Sequence, residues 1–258
     1  MPSWMPCQKR ALQEYRNDGD PEARNGKERV LLRTLILFDI DGTLVTGGPA
    51  KGAFRLALQK VYGTTGPIDG WEFSGKTDPQ IARELLDVAG LTSEEIDDGL
   101  PVLWEVYLDE LERRMESDPT RILPGVVQLL DGLDRHSDTG LGLLTGNVAK
   151  GAELKLGAVG LANRFSVGAF GSDNEMRNAL PAVAVQRASE AWNVSFEPGQ
   201  VVVVGDTARD VECGRHLGAR TLGVATGRFR PEVLMEAGAD VVVENLEDTE
   251  RVLEVLLT

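Results

Sequence analysis

The chain has 258 residues, of which 42% are hydrophobic and 26% charged, the proportions of an ordinary globular protein able to bury a sizeable core. Its formal net charge of −14 argues against nucleic acid or an anionic membrane surface as a partner, because both require clustered Lys and Arg. Two cysteines, Cys7 and Cys213, and two histidines, His136 and His216, support neither a disulfide framework nor a zinc site; with no apolar run of membrane-spanning length and no hydrophobic signal core, a cytoplasmic protein is expected.

Residues 1–32 are polar and mixed in charge, broken at Asn17-Asp18-Gly19-Asp20-Pro21 and Asn25-Gly26, and read as a leader with a short helical turn over Ala11 to Tyr15. The next stretch, Thr34 to Leu44, opens as a short apolar run typical of a buried parallel strand and ends in Asp39, Asp41 and Gly42. An Asp-Gly turn explains Asp41-Gly42 but not a carboxylate at 39 inside an apolar run. Thr46-Gly47-Gly48-Pro49 breaks the chain, and Lys51 to Val61 reads as a helix with Phe54, Leu58 and Val61 on one side.

From Gly63 to about Pro119 the pattern is helical, with no convincing strand. Asp78-Pro79 starts a helix in the N-cap and first-turn arrangement, ending at Gly90. Thr92-Ser93-Glu94-Glu95 starts a second, and Leu100 to Met115 supplies a third. A further helix begins after Leu123-Pro124-Gly125, with Val126, Leu129, Leu130 and Leu133 apolar. Strand and helix then alternate: a strand Leu141–Leu144 ending in Thr145-Gly146-Asn147, a helix to about Leu156, a short strand over Phe165–Gly168, a helix Ala179–Ala191, and a strand Val201–Val204 ending in Gly205-Asp206-Thr207. A helix Ala208–Leu217, strands Arg220–Val224 and Asp240–Val243 and a C-terminal helix complete the chain. Repeated strand–helix units predict an α/β fold, a doubly wound parallel sheet with helices on both faces. The domains expected are a leader (1–32), an α/β catalytic core (33–45 and 122–258) and a helical insertion (46–121).

Three strands thus end in Asp39/Asp41, Thr145/Asn147 and Asp206/Asp210, and strand ends so far apart in sequence converge only at the sheet edge where ligands bind. Clustered carboxylates demand a cation, and hard oxygen ligands favour Mg²⁺. A nucleophilic carboxylate, a metal held by further carboxylates and a hydroxyl at a helix start suit phosphoryl transfer, which needs in-line positioning and charge neutralisation. Thr145 is also explained as a simple N-cap, Asp210 as a helix-face acid, and Ser74-Gly75-Lys76-Thr77-Asp78 as either a loop and cap or a substrate-contacting loop.

Phe38-Asp39-Ile40-Asp41-Gly42-Thr43-Leu44 resembles the first motif of the haloacid dehalogenase superfamily, Leu144-Thr145-Gly146-Asn147 its second, and Val204-Gly205-Asp206-Thr207-Ala208-Arg209-Asp210 its fourth. The insertion resembles the helical cap of the phosphoglycolate phosphatase-like branch, and the whole implies a Rossmann-like core. The resemblance implies a Mg²⁺-dependent phosphatase acting on a small phosphorylated metabolite, phosphoglycolate-like, through an aspartyl-phosphate. Asp39 would be the nucleophile and Asp41 the acid and base. Mg²⁺ would be held by the Asp39 side chain, the Asp41 carbonyl and Asp206, with Asp210 holding a metal-bound water or orienting a cation. Thr145, with Gly146 and Asn147, would bind phosphoryl oxygens, and Lys76 would contact substrate from the cap. The third motif departs from the family pattern: no Lys lies between Lys155 and the fourth motif, so Arg177 is the candidate for that charge and Arg187 the alternative. Asp41 disfavours a dehalogenase. A sugar-phosphate mutase, a phosphonate hydrolase using Lys76 or Lys51, and a noncatalytic phosphometabolite-binding protein are the competing readings.

Overall fold

The computed structural model describes residues 32–258; the expected leader, apart from Leu32, and its helical turn at Ala11 to Tyr15 lie outside the described residues. Six strands, β1 (Thr34–Phe38), β4 (Thr139–Thr145), β5 (Val167–Phe170), β6 (Val201–Gly205), β7 (Arg220–Val224) and β8 (Val241–Val243), form one sheet in the order β5-β4-β1-β6-β7-β8. Every neighbouring pair is parallel. Leu35, Ile36, Leu37 and Phe38 of β1 and Val201 to Val204 of β6 are all buried, as strands covered on both faces must be. Helices α4 (Val126–Leu133), α5 (Ala149–Ala158), α6 (Leu180–Trp192), α7 (Ala208–Leu217), α8 (Pro231–Glu236) and α9 (Thr249–Leu257) accompany the sheet. The chain runs outward from β1 first one way, to β4 and β5, and then the other, to β6, β7 and β8. The reversal falls at β1, and open α/β sheets bind ligands at such a switch point.

Between β1 and β4 the chain leaves the sheet. Two three-residue strands, β2 (Val45–Gly47) and β3 (Thr120–Ile122), pair antiparallel with Val45 opposite Ile122 and Gly47 opposite Thr120, so the excursion departs and returns through one ribbon. Neither was anticipated, because three residues containing a Gly or flanked by Pro carry no readable period. The helices between them are α1 (Ala50–Tyr62), α2 (Asp78–Val88) and α3 (Ser93–Arg114). Thr77, not Asp78, caps α2, its Oγ1 accepting from the Gln80 N–H at 3.2 Å. The two helices expected from Thr92 to Met115 are one: a Thr92/Glu95 capping box starts it and Pro101 sits inside it. Pro101 faces solvent, and Ile96, Leu103, Tyr107 and Leu111 are all buried on the same helix. Burial worth about 1.5–3 kcal/mol per large side chain outweighs the roughly 3 kcal/mol cost of an interior proline. Phe54 of α1 stacks on Trp104 at 6.2 Å and meets Tyr107 edge-on at 5.3 Å between centroids.

The insert builds an apolar core that also takes in Val148 and Leu154 of the α5 region and is distinct from that of Leu35, Leu37, Leu144, Val203 and their neighbours in the sheet. Two further departures are small. The strand expected at Phe165–Gly168 lies two residues later, and the short α8 had no periodic signal.

Candidate active site

At the end of β1 the sheet pairing runs one residue further, with the Asp39 N–H donating to the Val204 carbonyl at 2.9 Å. The chain then folds tightly: Ile40 O accepts from the amides of Leu44 and Val45 at 2.9 and 3.0 Å. Gly42 has φ +89°, and a Cβ there would lie 2.3 Å from Asp206 Oδ2. Only glycine therefore lets the Asp39–Thr43 loop close on the Asp206 carboxylate. Thr43 Oγ1 donates to Asp206 Oδ1 at 3.4 Å.

Asp39, Asp206 and Asp210 are buried together, with one carboxylate oxygen from each within 4.8 Å of the others. Asp210 belongs to a capping box at the start of α7, where its Oδ2 accepts from the Thr207 N–H and Oγ1 at 3.0 and 2.7 Å. Its Oδ1 receives Arg177 Nη2, which also donates to Asp39 Oδ1 at 3.1 Å. Burial first, then the neighbouring carboxylates, pushes the Asp39 and Asp206 pKa values up against the opposing pull of Arg177. Burial opposes the charge on Arg177, but Asp210 and Asp39 more than compensate and hold it firmly protonated. Three carboxylates against one guanidinium leave an excess of buried negative charge, and their oxygens are hard donors. The set fits a divalent cation.

Asp41 faces outward, its side chain 45% exposed, and meets a second group of residues. Its Oδ1 and Oδ2 accept from Lys155 Nζ at 2.8 and 2.6 Å, and Oδ2 also accepts from Asn147 Nδ2 at 2.7 Å. Asn147 Oδ1 accepts from Lys155 Nζ at 2.6 Å, and its Nδ2 donates to Thr145 Oγ1 at 2.8 Å. Thr145 is buried at the end of β4 and is not a helix cap; that position belongs to Val148.

The structure thus brings Asp39, Asp206, Asp210 and Arg177 into one cluster, and Asp41, Asn147 and Thr145 into a second beside it. Arg187 is not among them: it pairs with Asp173 and donates to the Gly168 carbonyl. The Lys76 ammonium pairs with Glu84 over the Trp71 ring, and its backbone carbonyl approaches Gly146 so closely that a Cβ there would lie 2.1 Å from it. Asp78 of the insert grips the same loop from both sides, its N–H donating to Gly146 O and its Oδ2 accepting from the Val148 N–H, each at 2.8 Å. Burial pushes the Asp78 carboxyl up to about 6 although Lys155 and the Val148 amide oppose the shift.

Lys155 was missed. Its signal was present, because Ala152, Lys155 and Leu156 all lie on the buried side of α5, and a lysine at core spacing in an apolar stripe needs a buried anion to explain it.

Residues 34–218 match the family model described as hydrolase, haloacid dehalogenase-like hydrolase. The chain belongs to that family. It is similar to a phosphoglycolate phosphatase of Synechococcus elongatus, 30% identical over 83% of this chain and 93% of the relative. It is also similar to an N-acetylmuramic acid 6-phosphate phosphatase of Pseudomonas putida, 28% identical over 85% and 95% of the two chains. Among solved structures, one described as a predicted phosphoglycolate phosphatase from Haemophilus somnus shares the fold with TM-score 0.63 and 19% identity, covering 88% of this chain and 99% of that one. As a member of this family the chain is a phosphoric monoester hydrolase. Among the described residues no helix is long and apolar enough to cross a membrane.

Proposed function

We propose that the protein is a Mg²⁺-dependent phosphatase of small phosphorylated metabolites, with a phosphoglycolate-like ester as the favoured substrate, and that residues 46–121 act as a cap over a core of 33–45 and 122–258. The observation that carries the reading is the buried Asp39–Asp206–Asp210 cluster, balanced among the described residues by Arg177. Asp39, Asp206 and the Asp41 carbonyl would hold the ion, with Asp210 fixing Arg177 beside them. Bound there, Mg²⁺ supplies charge neutralisation between the carboxylates and the incoming phosphate.

The chain's own residues divide the rest. Asp39 attacks phosphorus; the bond to the leaving oxygen breaks with its electron pair on that oxygen, and Asp41 delivers the proton. Asp41 then takes a proton from the water that displaces phosphate from Asp39. Arg177 holds Asp39 Oδ1 and so fixes the nucleophile's direction, a role that a family Lys would otherwise fill. The Gly146 loop and the Thr145 hydroxyl would receive phosphoryl oxygens, and the close seating of Asp78 and Lys76 on that loop would keep water from them. The phosphoglycolate preference rests on the Synechococcus relative.

Phosphate release from 4-nitrophenyl phosphate, 2-phosphoglycolate and glucose 6-phosphate, with and without Mg²⁺ and with Asp39→Asn alongside, tests the reading. Hydrolysis is expected to require Mg²⁺ and to fall by about 10³-fold or more in the variant. Release from a folded Asp39→Asn at the wild-type rate would overturn it.

A further inference from the structure

The Asp41 carboxylate is served by more donors than an exposed acid needs. Lys155 reaches both its oxygens, at 2.8 and 2.6 Å, and Asn147 Nδ2 reaches Oδ2 at 2.7 Å. The third acceptor on the ammonium is Asn147 Oδ1 at 2.6 Å, so all three Lys155 donors and the Asn147 amide are spent on one arrangement. Lys155 is 5% exposed while the Asp41 side chain is 45% exposed: the cation is buried behind the acid and the acid reaches solvent. A desolvated lysine on an apolar helix face is costly unless its charge is used.

We infer that Lys155 and Asn147 are positioning residues for proton transfer, a preorganised fork that fixes the Asp41 carboxyl in the orientation from which it serves the leaving oxygen. The inference rests on the phosphatase reading above. In the step concerned, Asp39 forms a bond to phosphorus, the phosphorus–oxygen bond to the leaving group breaks, and the proton on Asp41 moves to that oxygen. An acid held in one orientation reaches the leaving oxygen without a search, so fixing Asp41 in advance lowers the barrier by positioning. The fork holds the carboxyl in one rotamer, since Lys155 grips both oxygens. Asn147 is thereby committed to Asp41, Lys155 and Thr145 rather than free for substrate. Asp78, the insert's acid that also feels Lys155, is already occupied by the Val148 amide.

A proton matters only when the leaving group needs one. An alkoxide does; 4-nitrophenolate does not. In the Mg²⁺-loaded full chain, Lys155→Met is expected to lower kcat/KM for the fastest alkyl ester of the panel by about 10²-fold and for 4-nitrophenyl phosphate by less than about 5-fold, the span of one acid–base contribution. In an Asp41→Asn background the same substitution should add almost nothing for the alkyl ester, because Lys155 acts through Asp41. Should Lys155→Met not fold, as judged by its melting curve, Asn147→Ala removes one arm of the fork and should show the same selectivity in smaller degree. Equal losses on alkyl and aryl esters, or full additivity with Asp41→Asn, would overturn the inference while leaving the phosphatase intact. A wild-type chain that hydrolyses neither ester would instead overturn the phosphatase reading.

Discussion

At the scale of single residues, the site's chemistry is set by how little positive charge is buried with three carboxylates. Arg177 Nη2 is shared between Asp39 and Asp210, so truncating it strips a partner from both. Arg177→Met is expected to reduce kcat/KM by about 10²–10³-fold, and in chelator to cost about 3–5 kcal/mol of stability, the usual loss when a buried pair is broken. Mg²⁺ should recover most of the stability and little of the activity, which melting curves and initial rates separate. The same shortage of charge has a pH signature. Asp39 and Asp206 bind protons more tightly folded than unfolded because of burial and their neighbouring carboxylates. A carboxyl raised in this way stabilises the fold fully below its ordinary range, and the contribution is lost as the pH climbs through the folded-state value. In EDTA the melting temperature should therefore fall between pH 5 and pH 8. The rise produced by Mg²⁺ should be larger at pH 8, where fewer protons compete with the ion for these oxygens. A metal-induced rise that is larger at pH 5 would contradict this account.

At the scale of elements, legibility followed local signal. β1, β6 and α7 were readable because apolar runs ending in Asp39 or Asp206 and a Thr207/Asp210 cap leave clear marks, and so the Asp39–Asp206 half of the site was readable with them. Arg177 could be proposed from what the chain lacks, a lysine in the third-motif region. Lys155 could not be found that way, because its partner Asp41 lies 114 positions away in sequence and only the fold joins them. The single long α3 was hidden by Pro101, which local rules take as a boundary; burial of Ile96 on one side and Leu103 on the other overrides it. Pro101→Ala restores a backbone donor at an exposed position in mid-helix and is expected to stabilise the chain by about 1–2 kcal/mol. This is less than the full interior-proline cost, because alanine also loosens the unfolded chain. Denaturant midpoints measure the change; a loss of stability would mean that α3 is bent or split there.

At the scale of the molecule, what matters is that the insert and the sheet meet on the loop that carries Thr145 and Asn147. The insert reaches it through backbone: Asp78 N–H to Gly146 O, Val148 N–H to Asp78 Oδ2, and the Lys76 carbonyl laid against Gly146. Arg209, beside the Asp206 cluster, donates to the Ser74 carbonyl at 3.3 Å, so the same stretch of the insert also touches the start of α7. On the cap reading proposed above, substrate would enter before the insert takes this seat, with the paired ends of the insert at β2 and β3 as the place where it turns. The seat needs a residue without Cβ at 146. Gly146→Ala sets a methyl group 2.1 Å from the Lys76 carbonyl, a clash with backbone that no rotamer relieves. The sheet core lies elsewhere, so the variant should keep its fold but hold the insert off the loop. Amide exchange at Asp78 and Val148 should then accelerate while β1 and β6 stay protected. kcat/KM should drop by about 10²-fold, as expected for a displacement of about 1 Å among positioning groups. If exchange at both amides stays slow while activity falls, the damage is confined to the loop itself and the seating of the insert is not what the reaction requires.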